Sequence, residues 1–516
     1  MPIGNTFGNI SVRRYEGAPP GTVRTGLEWG LDTGEADRER GAARPVRLNG
    51  LDAALVELET DRTPLQMIAV LMLDTTTVPG GYEYARLRDF LATRIHVVPP
   101  CRRMLVAVPG KLHRPVWAEV GELDWDYHLP RVVSGEPLDL ARLSTIAAEL
   151  AEQRLDRSRP LWQLLVVEDA TAPRVAVIAR VHHALMDGLG GMEFMGALFS
   201  LEPTPPTDDA PVQHAPANPP SSVGLLVNAA GALAEIPGTA LRLGRNLARI
   251  GQHAVMRRRS SQPRAARLFD GPPTPFNARL TANRTVSLTQ LPFPAIRTLA
   301  GATGATINEI VLTLVSGALR TYLVKRGTLP ARPLVAAVPA GAADAASAAR
   351  NFGNAFSVLL IRLPTSEPDA RRRLAEVREE SERAKDASND LGVDTLGRFL
   401  DLMTPLPVDA ALFLYRALLV DRLAPIWNVM VSNVPGPPVP LFVAGARLVG
   451  LYPIGPIYDG LALNVTVLSR EDSLDIGILG CRDHIPAVSD LAVELHRELE
   501  GLAALVGVDL EPAPNP

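Results

Sequence analysis

The sequence predicts an α/β protein built from two domains. Its 516 residues exceed the length at which a single hydrophobic core usually stops growing. Strand-like and helix-like segments interleave in both halves of the chain, which is typical of layered α/β folds. A polar stretch rich in proline, residues 202–222, lies between the halves and indicates a linker.

These features divide the chain into four parts. Residues 1–46 lack the apolar core of a signal peptide, carry many Gly, Arg and Glu residues, and are interpreted as a flexible extension. Residues 47–202 and 275–516 are predicted to form the two domains. Residues 203–274 hold the Pro-rich linker and two amphipathic helices.

Hydrophobic spacing predicts the elements of the first half. Asp139 is placed to cap a helix, and the second of two β-rich runs leads directly into His182 before a glycine-rich turn. In chain order the elements are a helix-like stretch with a short strand (51–73), a helix (140–154), a hairpin (163–168 and 174–181) and a helix (192–201).

The second half shows the same alternation of helix and strand. Past the linker the predicted elements are helices at 223–236, 239–259 and 307–325, strands at 334–338 and 356–363, a charged helix at 369–387, a hairpin over 461–468 and 473–479, and a helix at 489–505.

Composition excludes several classes of protein. The net charge of −4 and the pI near 6.2 give no indication of a nucleic-acid partner. Cys101 and Cys481 lie far apart in the sequence, which argues against a structural zinc site or a disulfide framework and fits a reducing compartment. No run of 18 or more apolar residues occurs, so the sequence does not predict a transmembrane helix.

One motif carries recognisable chemistry: His182-His183, three residues, then Asp187-Gly188. A histidine just past the end of a strand can project into a cleft, and its near-neutral pKa suits a general base. Strand alternation places His182 and His183 on opposite faces, so only one of them should reach the cleft. Asp187 is expected to fix the local backbone or to pair with an arginine, and Gly188 permits a close approach of the backbone to a substrate.

The pattern His-His-x-x-x-Asp-Gly resembles the signature of the chloramphenicol acetyltransferase-like superfamily. Pro160-Leu161-Trp162 and the block 428–437 (Asn-Val-Met-Val-Ser-Asn-Val-Pro-Gly-Pro) narrow the resemblance to the bacterial wax ester synthase/diacylglycerol acyltransferase family. Weaker similarity is found at 100–103 (Pro-Cys-Arg-Arg) and 351–357 (Asn-Phe-Gly-Asn-Ala-Phe-Ser). The resemblance covers roughly residues 47–505.

The resemblance implies an α/β fold of two chloramphenicol acetyltransferase-like subdomains with mixed sheets and a substrate tunnel at their interface. Acyl-CoA would enter from one side as co-substrate, and diacylglycerol or a fatty alcohol from the other, with no cofactor. No metal is expected, because the other histidines are scattered without the spacing of metal ligands. His183 would be the base and Asp187 structural. The chain departs from the family pattern at Asn308-Glu309, where the family usually has Asn-Asp, and in the length of its N-terminal extension.

Acyl transfer to an alcohol also needs donors for the developing oxyanion. Candidates are Asn308, Ser357, Ser432 and Asn433, or backbone N–H groups. For Ser432 and Asn433 the alternative is that they only shape the turn before a Pro-Gly-Pro sequence. Trp162 is a candidate substrate contact, with a core position as the alternative. No Gly-x-Ser-x-Gly motif is present, so direct transfer in a ternary complex is expected.

Two segments are candidates for contact with lipid. Residues 239–259 form an amphipathic pattern with an arginine stripe, which fits either a membrane surface or an interdomain helix. Residues 399–427 are apolar with few charges. We therefore expect a cytoplasmic protein, with peripheral contact with the inner membrane face or lipid droplets.

Two other functions compete with acyl transfer from acyl-CoA. One is a carrier-dependent condensation enzyme, and the other is a catalytically silent lipid-binding protein.

Overall fold

The computed structural model describes residues 46–95, 98–186, 188–204, 220–233, 265–341, 356–391, 400–401, 403–420, 422–508 and 510. Several sequence predictions lie outside these residues: the N-terminal extension up to residue 45, most of the Pro-rich linker, the helix at 239–259, Asp187 and most of the segment 351–357.

The first six-stranded sheet has the order β12-β13-β2-β7-β6-β5. Its central strand β7 is buried at every residue but the first, because helices and the other sheet cover both of its faces. The pairs β13–β2, β2–β7 and β7–β6 are antiparallel, whereas β5 runs parallel to β6. The strands are β2 (Gln66–Asp74), β5 (Arg131–Ser134), β6 (Trp162–Asp169), β7 (Arg174–His182), β12 (Phe442–Val443) and β13 (Ala446–Ile454).

Helices and a small sheet surround this first sheet. The predicted cap is confirmed, since the Asp139 carboxylate accepts the N–H of Arg142 at 2.7 Å. The helices are α1 (Gly50–Leu58), α2 (Tyr84–Ile95), α3 (Trp125–His128), α4 (Leu140–Ala151), α5 (Gly188–Leu198) and α6 (Ser222–Leu233). A three-stranded sheet contains β1 (Val46–Arg47), β3 (Arg103–Val106) and β4 (Val116–Glu119).

The second six-stranded sheet has the order β10-β9-β11-β14-β15-β8 and is also mixed. Its strands are β8 (Arg284–Pro292), β9 (Leu334–Gly341), β10 (Phe356–Leu363), β11 (Val429–Pro435), β14 (Leu463–Arg470) and β15 (Ser473–Cys481). Its helices are α7 (Phe293–Thr303), α8 (Ile307–Lys325), α9 (Ala370–Leu391), α10 (Pro405–Leu414), continued by a π-helical turn (Tyr415–Leu419), and α11 (Ser489–Val506).

Helix α8 is the core helix of the second half and packs against α7, α9 and α11. Within the described part of the chain it is the one helix whose length and apolar composition would suffice to cross a membrane, yet 72% of its apolar window is buried inside the fold. Its hydrophobic residues are therefore accounted for by packing within the protein.

The second half of the chain contributes two strands to the sheet of the first half. Strands β12 and β13 belong to the second half of the sequence but complete the sheet of the first half through the pairing of β13 with β2. The sequence pattern does not indicate which sheet β12 and β13 join, because a strand's hydrophobic alternation is the same in either sheet. The four-part division of the chain stays a prediction, and the second half reaches into the first sheet.

Most predicted elements are confirmed, with one shift that affects the site. A glycine-rich turn followed by a helix at 192–201 was expected, whereas α5 already begins at Gly188. The turn is therefore shorter than expected, and Gly188 forms the first residue of the helix. The mixed α/β fold with its two six-stranded mixed sheets agrees with the predicted fold class.

Candidate active site

The two histidines lie where β7 ends. His182 is the last residue of the strand and pairs with Gln66 of β2, and its N–H donates to the Leu161 carbonyl at 2.9 Å. The His183 N–H donates to the Leu65 carbonyl at 2.8 Å, after which the chain turns. The Pro-Leu-Trp segment and the histidine pair are thus held side by side by the β6–β7 pairing.

The two imidazoles differ in environment. His182 is only 1% exposed, whereas His183 is half-buried. Burial lowers the pKa of His182 to about 4, against a smaller opposing effect of the Glu59 carboxylate. His182 therefore stays neutral at physiological pH. The accessible position of His183 supports its role as the base, which remains a prediction.

A buried carboxylate that the sequence analysis missed stands behind His182. Glu59 follows α1, and its Oε2 accepts from Arg154 Nε at 3.1 Å and from Arg157 Nη2 at 2.8 Å. Its Oε1 lies 3.6 Å from His182 Nε2. In the sequence the arginines before Pro160, Arg154 and Arg157 among them, could suggest a buried anion nearby, but nothing close to Glu59 marks it as their partner.

A buried cation, Arg180, lies on β7 two residues before His182. Arg180 is 4% exposed and donates to Gln66 Oε1 at 3.1 Å, Gln163 Oε1 at 3.0 Å and the Gln153 carbonyl at 2.7 Å. Burial lowers its pKa to about 10. The carbonyl of Gln153 follows the C-terminal end of α4, where the helix dipole favours a positive charge. This interaction fixes β7 just before the histidines.

The structure places Trp162 in the core and so does not support a substrate contact. Its side chain is fully buried, its Nε1–H donates to the Cys101 carbonyl at 2.8 Å, and its ring stacks on His128 with centroids 4.2 Å apart. The indole is buried because it closes the space between β6 and the segment containing Cys101. The alternative stated for this residue, a core position, describes it correctly.

Glu309, at which the chain departs from the family pattern, caps the helix in whose first turn it lies. Its Oε2 accepts the N–H of Thr306 at 2.8 Å, while Thr306 Oγ1 accepts the N–H of Glu309, which together form a capping box at the start of α8. The longer side chain of glutamate allows it to reach back to the cap residue. Asn308, the neighbouring oxyanion candidate, is half-buried in the first turn of the same helix.

Ser432 and Asn433 lie within β11 and not in a turn, which corrects the alternative that they only shape the turn before Pro435. Both are half-buried. Beyond Met430, the described pairing of β11 is with β14 on one side, while β9 pairs only with Val429 and Met430. This part of β11 faces the first half, because Val434 packs against the hydrophobic cluster of the first sheet.

The remaining candidates are only partly described. Asp187 lies outside the described residues, and Gly188 is the first residue of α5. Ser357 lies on β10 opposite Ala340, and its side chain is outside the description. In the described ranges no group of three or more His, Cys, Asp or Glu side chains is arranged to hold a metal ion.

Comparison with solved structures identifies the class of fold. The chain superposes on the wax ester synthase/diacylglycerol acyltransferase from Marinobacter aquaeolei VT8 with a TM-score of 0.63 and 27% identity, covering 90% of this chain and 100% of the other. A condensation domain of the calcium-dependent antibiotic synthetase matches with a TM-score of 0.55 and 17% identity over 90% and 97% of the two chains, which shows the fold alone. The class is therefore that of two-lobed α/β transferases.

Sequence comparison assigns the family within this class. The wax ester synthase/diacylglycerol acyltransferase catalytic domain matches residues 48–311, and the C-terminal domain of the same family matches residues 352–503. A protein of Mycobacterium tuberculosis named as a diacylglycerol O-acyltransferase is 33% identical over 89% of this chain and 91% of its own length. One from Mycobacterium bovis with the same activity in its name is 29% identical over 89% and 98%. The chain belongs to the wax ester synthase/diacylglycerol acyltransferase family.

Proposed function

We propose that this enzyme transfers a long acyl group from acyl-CoA to the hydroxyl of diacylglycerol or of a long-chain alcohol, yielding triacylglycerol or a wax ester. Membership of the family and the names of the relatives support O-acyl transfer. The single observation that carries the mechanism is the half-buried His183 directly after a strand that is buried at every residue but the first. Its backbone is held there by the Leu65 carbonyl.

In the proposed reaction His183 accepts the proton of the acceptor hydroxyl while its oxygen attacks the thioester carbon. The new C–O bond forms, the C–S bond breaks, and the proton passes to the leaving thiolate. A positioned base typically contributes about 3–5 kcal/mol to such a step. The donors for the oxyanion come from Asn308, Ser357, Ser432, Asn433 or backbone N–H groups, and one such donor is commonly worth about 3–4 kcal/mol.

Both substrates bind before transfer, in the tunnel expected between the two lobes. Because no serine nucleophile motif is present, we propose no acyl-enzyme, and initial-rate kinetics should show intersecting rather than parallel lines. Apart from acyl-CoA, the reaction as proposed requires no further cofactor, since the base belongs to the chain and the nucleophile to the acceptor.

The acceptor and the product are insoluble in water, and we propose that the enzyme works from the cytoplasm at a membrane or lipid-droplet surface. Apolar side chains on α6 and α10 support a lipid contact, because they are exposed where a globular surface usually carries polar residues. The exposed fractions are 70% for Val223, 68% for Val227, 54% for Leu406, 72% for Phe413 and 48% for Leu414.

One assay tests the proposed activity. Purified enzyme receives radiolabelled palmitoyl-CoA with diacylglycerol, with hexadecanol or without acceptor, beside the His183→Ala variant. We expect labelled triacylglycerol or wax ester from the wild type and a rate about 10²–10⁴-fold lower from the variant. Product formed only from a carrier-bound acyl group would instead support a condensation enzyme, and lipid binding without product a silent homologue.

A further inference from the structure

The strongest unexplained feature of the site is a carboxylate with almost no access to solvent. The Glu59 side chain is 2% exposed, and its Oε2 alone receives Arg154 Nε at 3.1 Å, Arg157 Nε at 3.1 Å and Arg157 Nη2 at 2.8 Å. Burying a charge in this way is costly unless its partners compensate it. The second oxygen, Oε1, remains directed to the residues around the histidines.

Oε1 faces the two groups that hold His183. It accepts the N–H of Leu65 at 3.4 Å, and the carbonyl of that same residue accepts the His183 N–H at 2.8 Å. It also lies 3.6 Å from His182 Nε2, a buried atom with no hydrogen-bond partner among the described residues. Glu59 is therefore connected to His183 through one intervening residue on each of two routes, Leu65 on the first and His182 on the second.

The hydrogen bonding of His182 defines the location of its proton. His182 Nδ1 accepts the backbone N–H of Ala184 at 3.0 Å, so in the neutral ring the proton must reside on Nε2. A carboxylate facing Nε2 favours that tautomer. In this arrangement Leu65 holds the peptide before His183, and His182 holds the peptide after it.

We propose that Glu59 is a positioning residue for the base: by keeping the His182 proton on Nε2, it lets Nδ1 anchor the Ala184 N–H and so fixes the peptide that carries His183. The inference rests on the proposed function only in taking His183 as the base. It also gives the first histidine of the motif a defined task, that of an acceptor for the backbone beyond the second. The competing account is that Glu59 only neutralises Arg154 and Arg157.

Replacement by the isosteric amide separates these two accounts. In Glu59→Gln the guanidinium groups retain the amide oxygen, so the NH₂ group turns toward Leu65 N–H and His182 Nε2. A donor facing Nε2 favours the other tautomer, in which Nδ1–H confronts the Ala184 N–H. We expect kcat to fall about 10–100-fold with little change in KM for either substrate.

Two further variants serve as controls. Asp61→Asn removes a carboxylate that pairs with Arg154 at 2.7 Å but is 90% exposed and does not contact His182, so we expect kcat near that of the wild type. Glu59→Asp keeps the charge and should cost less than Glu59→Gln. If Glu59→Asp were the more damaging of the two, side-chain size and not charge would matter, and the proposal would be overturned.

A double-mutant cycle tests whether the effect passes through His182. In a His182→Ala background the Glu59→Gln change should cost much less kcat than in the wild type, because only the contact with the Leu65 N–H is left to lose, whereas independent losses that multiply in full would contradict the proposal. Thermal denaturation of each variant identifies any that fails to fold.

The tautomer itself gives a readout that does not depend on activity. In protein labelled with ¹⁵N-histidine, the signals lost in His182→Ala belong to His182, and we expect a protonated Nε2 and an unprotonated Nδ1. A proton on Nδ1 in the wild type would overturn the proposal even if the enzyme is active. Conversely, full activity of His183→Ala would refute the proposed function and leave this tautomer assignment intact.

Discussion

At the scale of single residues, two adjacent histidines acquire opposite properties from their surroundings. His182 ends a buried strand and is shielded by Glu59 and its arginines, while His183 begins the turn and retains access to solvent. The sequence predicts that only one of them reaches the cleft, because alternate strand residues face opposite sides. The contact of Glu59 with His182 depends on the path of α1 through the fold, and no local sequence pattern indicates it.

Burial of histidines also predicts how stability responds to acid. Burial lowers the pKa of His128, which is fully buried against Trp162, to about 4. The unfolded chain, with a histidine pKa near 6.5, binds a proton that the folded state rejects. The free energy of unfolding is therefore unaffected by this difference above pH 6.5. As pH falls from 6.5 toward 4, it decreases by about 1.4 kcal/mol per pH unit for each such histidine.

Replacing His128 should therefore weaken the pH dependence. We expect His128→Gln to be less stable than the wild type at pH 7.5, but its free energy of unfolding should fall by about 1.4 kcal/mol per pH unit less between pH 6.5 and 4.5. Urea denaturation at several pH values measures this slope. An unchanged slope in His128→Gln would contradict the prediction.

At the scale of elements, the start of helix α8 is stabilised by side chains that accept its otherwise unpaired backbone N–H groups. Helix α8 begins with the Thr306–Glu309 capping box, so the glutamate that departs from the family pattern stabilises the helix start. The Ser-x-x-Glu/Gln type of box is visible in the sequence as Thr306 to Glu309. This spacing by itself predicts a structural role for Glu309.

Helix α10 carries the prediction on lipid contact. Phe413 and Leu414 are 72% and 48% exposed, and moving such side chains from water into lipid is worth about 1.5–3 kcal/mol each. We expect Phe413→Ser/Leu414→Ser to weaken binding to vesicles of phosphatidylcholine and phosphatidylglycerol at least tenfold. Flotation of vesicles with bound protein gives the measurement.

The matched control is Val493→Ser on α11, where an equally exposed side chain, 49%, lies on a helix without this apolar surface. Its vesicle binding should equal that of the wild type. If the α10 variant also binds as the wild type does, α10 is not the lipid contact. The basic segment 239–259 then becomes the candidate, and removal of Arg257, Arg258 and Arg259 at low salt tests it.

At the scale of the whole molecule, strand β13, which the second half contributes to the first sheet, links the two lobes. Asp475 on β15 is fully buried and accepts the Leu451 N–H of β13 at 2.8 Å. Arg470 donates to the same carboxylate at 3.3 Å and to the Val449 carbonyl at 2.8 Å. These bonds fix the distance between the sheets, and thereby the separation of the histidine motif on β7 from Ser432 and Asn433 on β11.

Gly477 tests the importance of this close packing. A Cβ added at Gly477 would overlap the Pro453 carbonyl of β13, whereas one added at Gly501 on α11 would have no atom within 4 Å. We expect Gly477→Ala to lower the free energy of unfolding by about 1–3 kcal/mol, because overpacking pushes β13 away from β15. It should also lower kcat, since the lobes move apart.

Gly501→Ala controls for the change of residue type. Alanine is preferred to glycine inside a helix, so this variant should be slightly more stable, by roughly 0.5–1 kcal/mol, with unchanged activity. Thermal or urea denaturation together with the acyl-transfer assay measures both quantities. If Gly477→Ala matched Gly501→Ala in stability and in kcat, the two sheets would tolerate separation at Gly477 and the prediction would be wrong.

By itself, the sequence determined the α/β class, the order of most helices and strands, the family, and the histidine motif at the end of a strand. These features depend on residues close together in the chain, where spacing and capping leave a readable pattern. Only the tertiary structure decided that Trp162 is core, that Glu59 stands behind His182, and that β13 joins the first sheet. Burial and pairing between distant segments follow from how the whole chain packs, and local sequence does not encode which distant partner fills a given space.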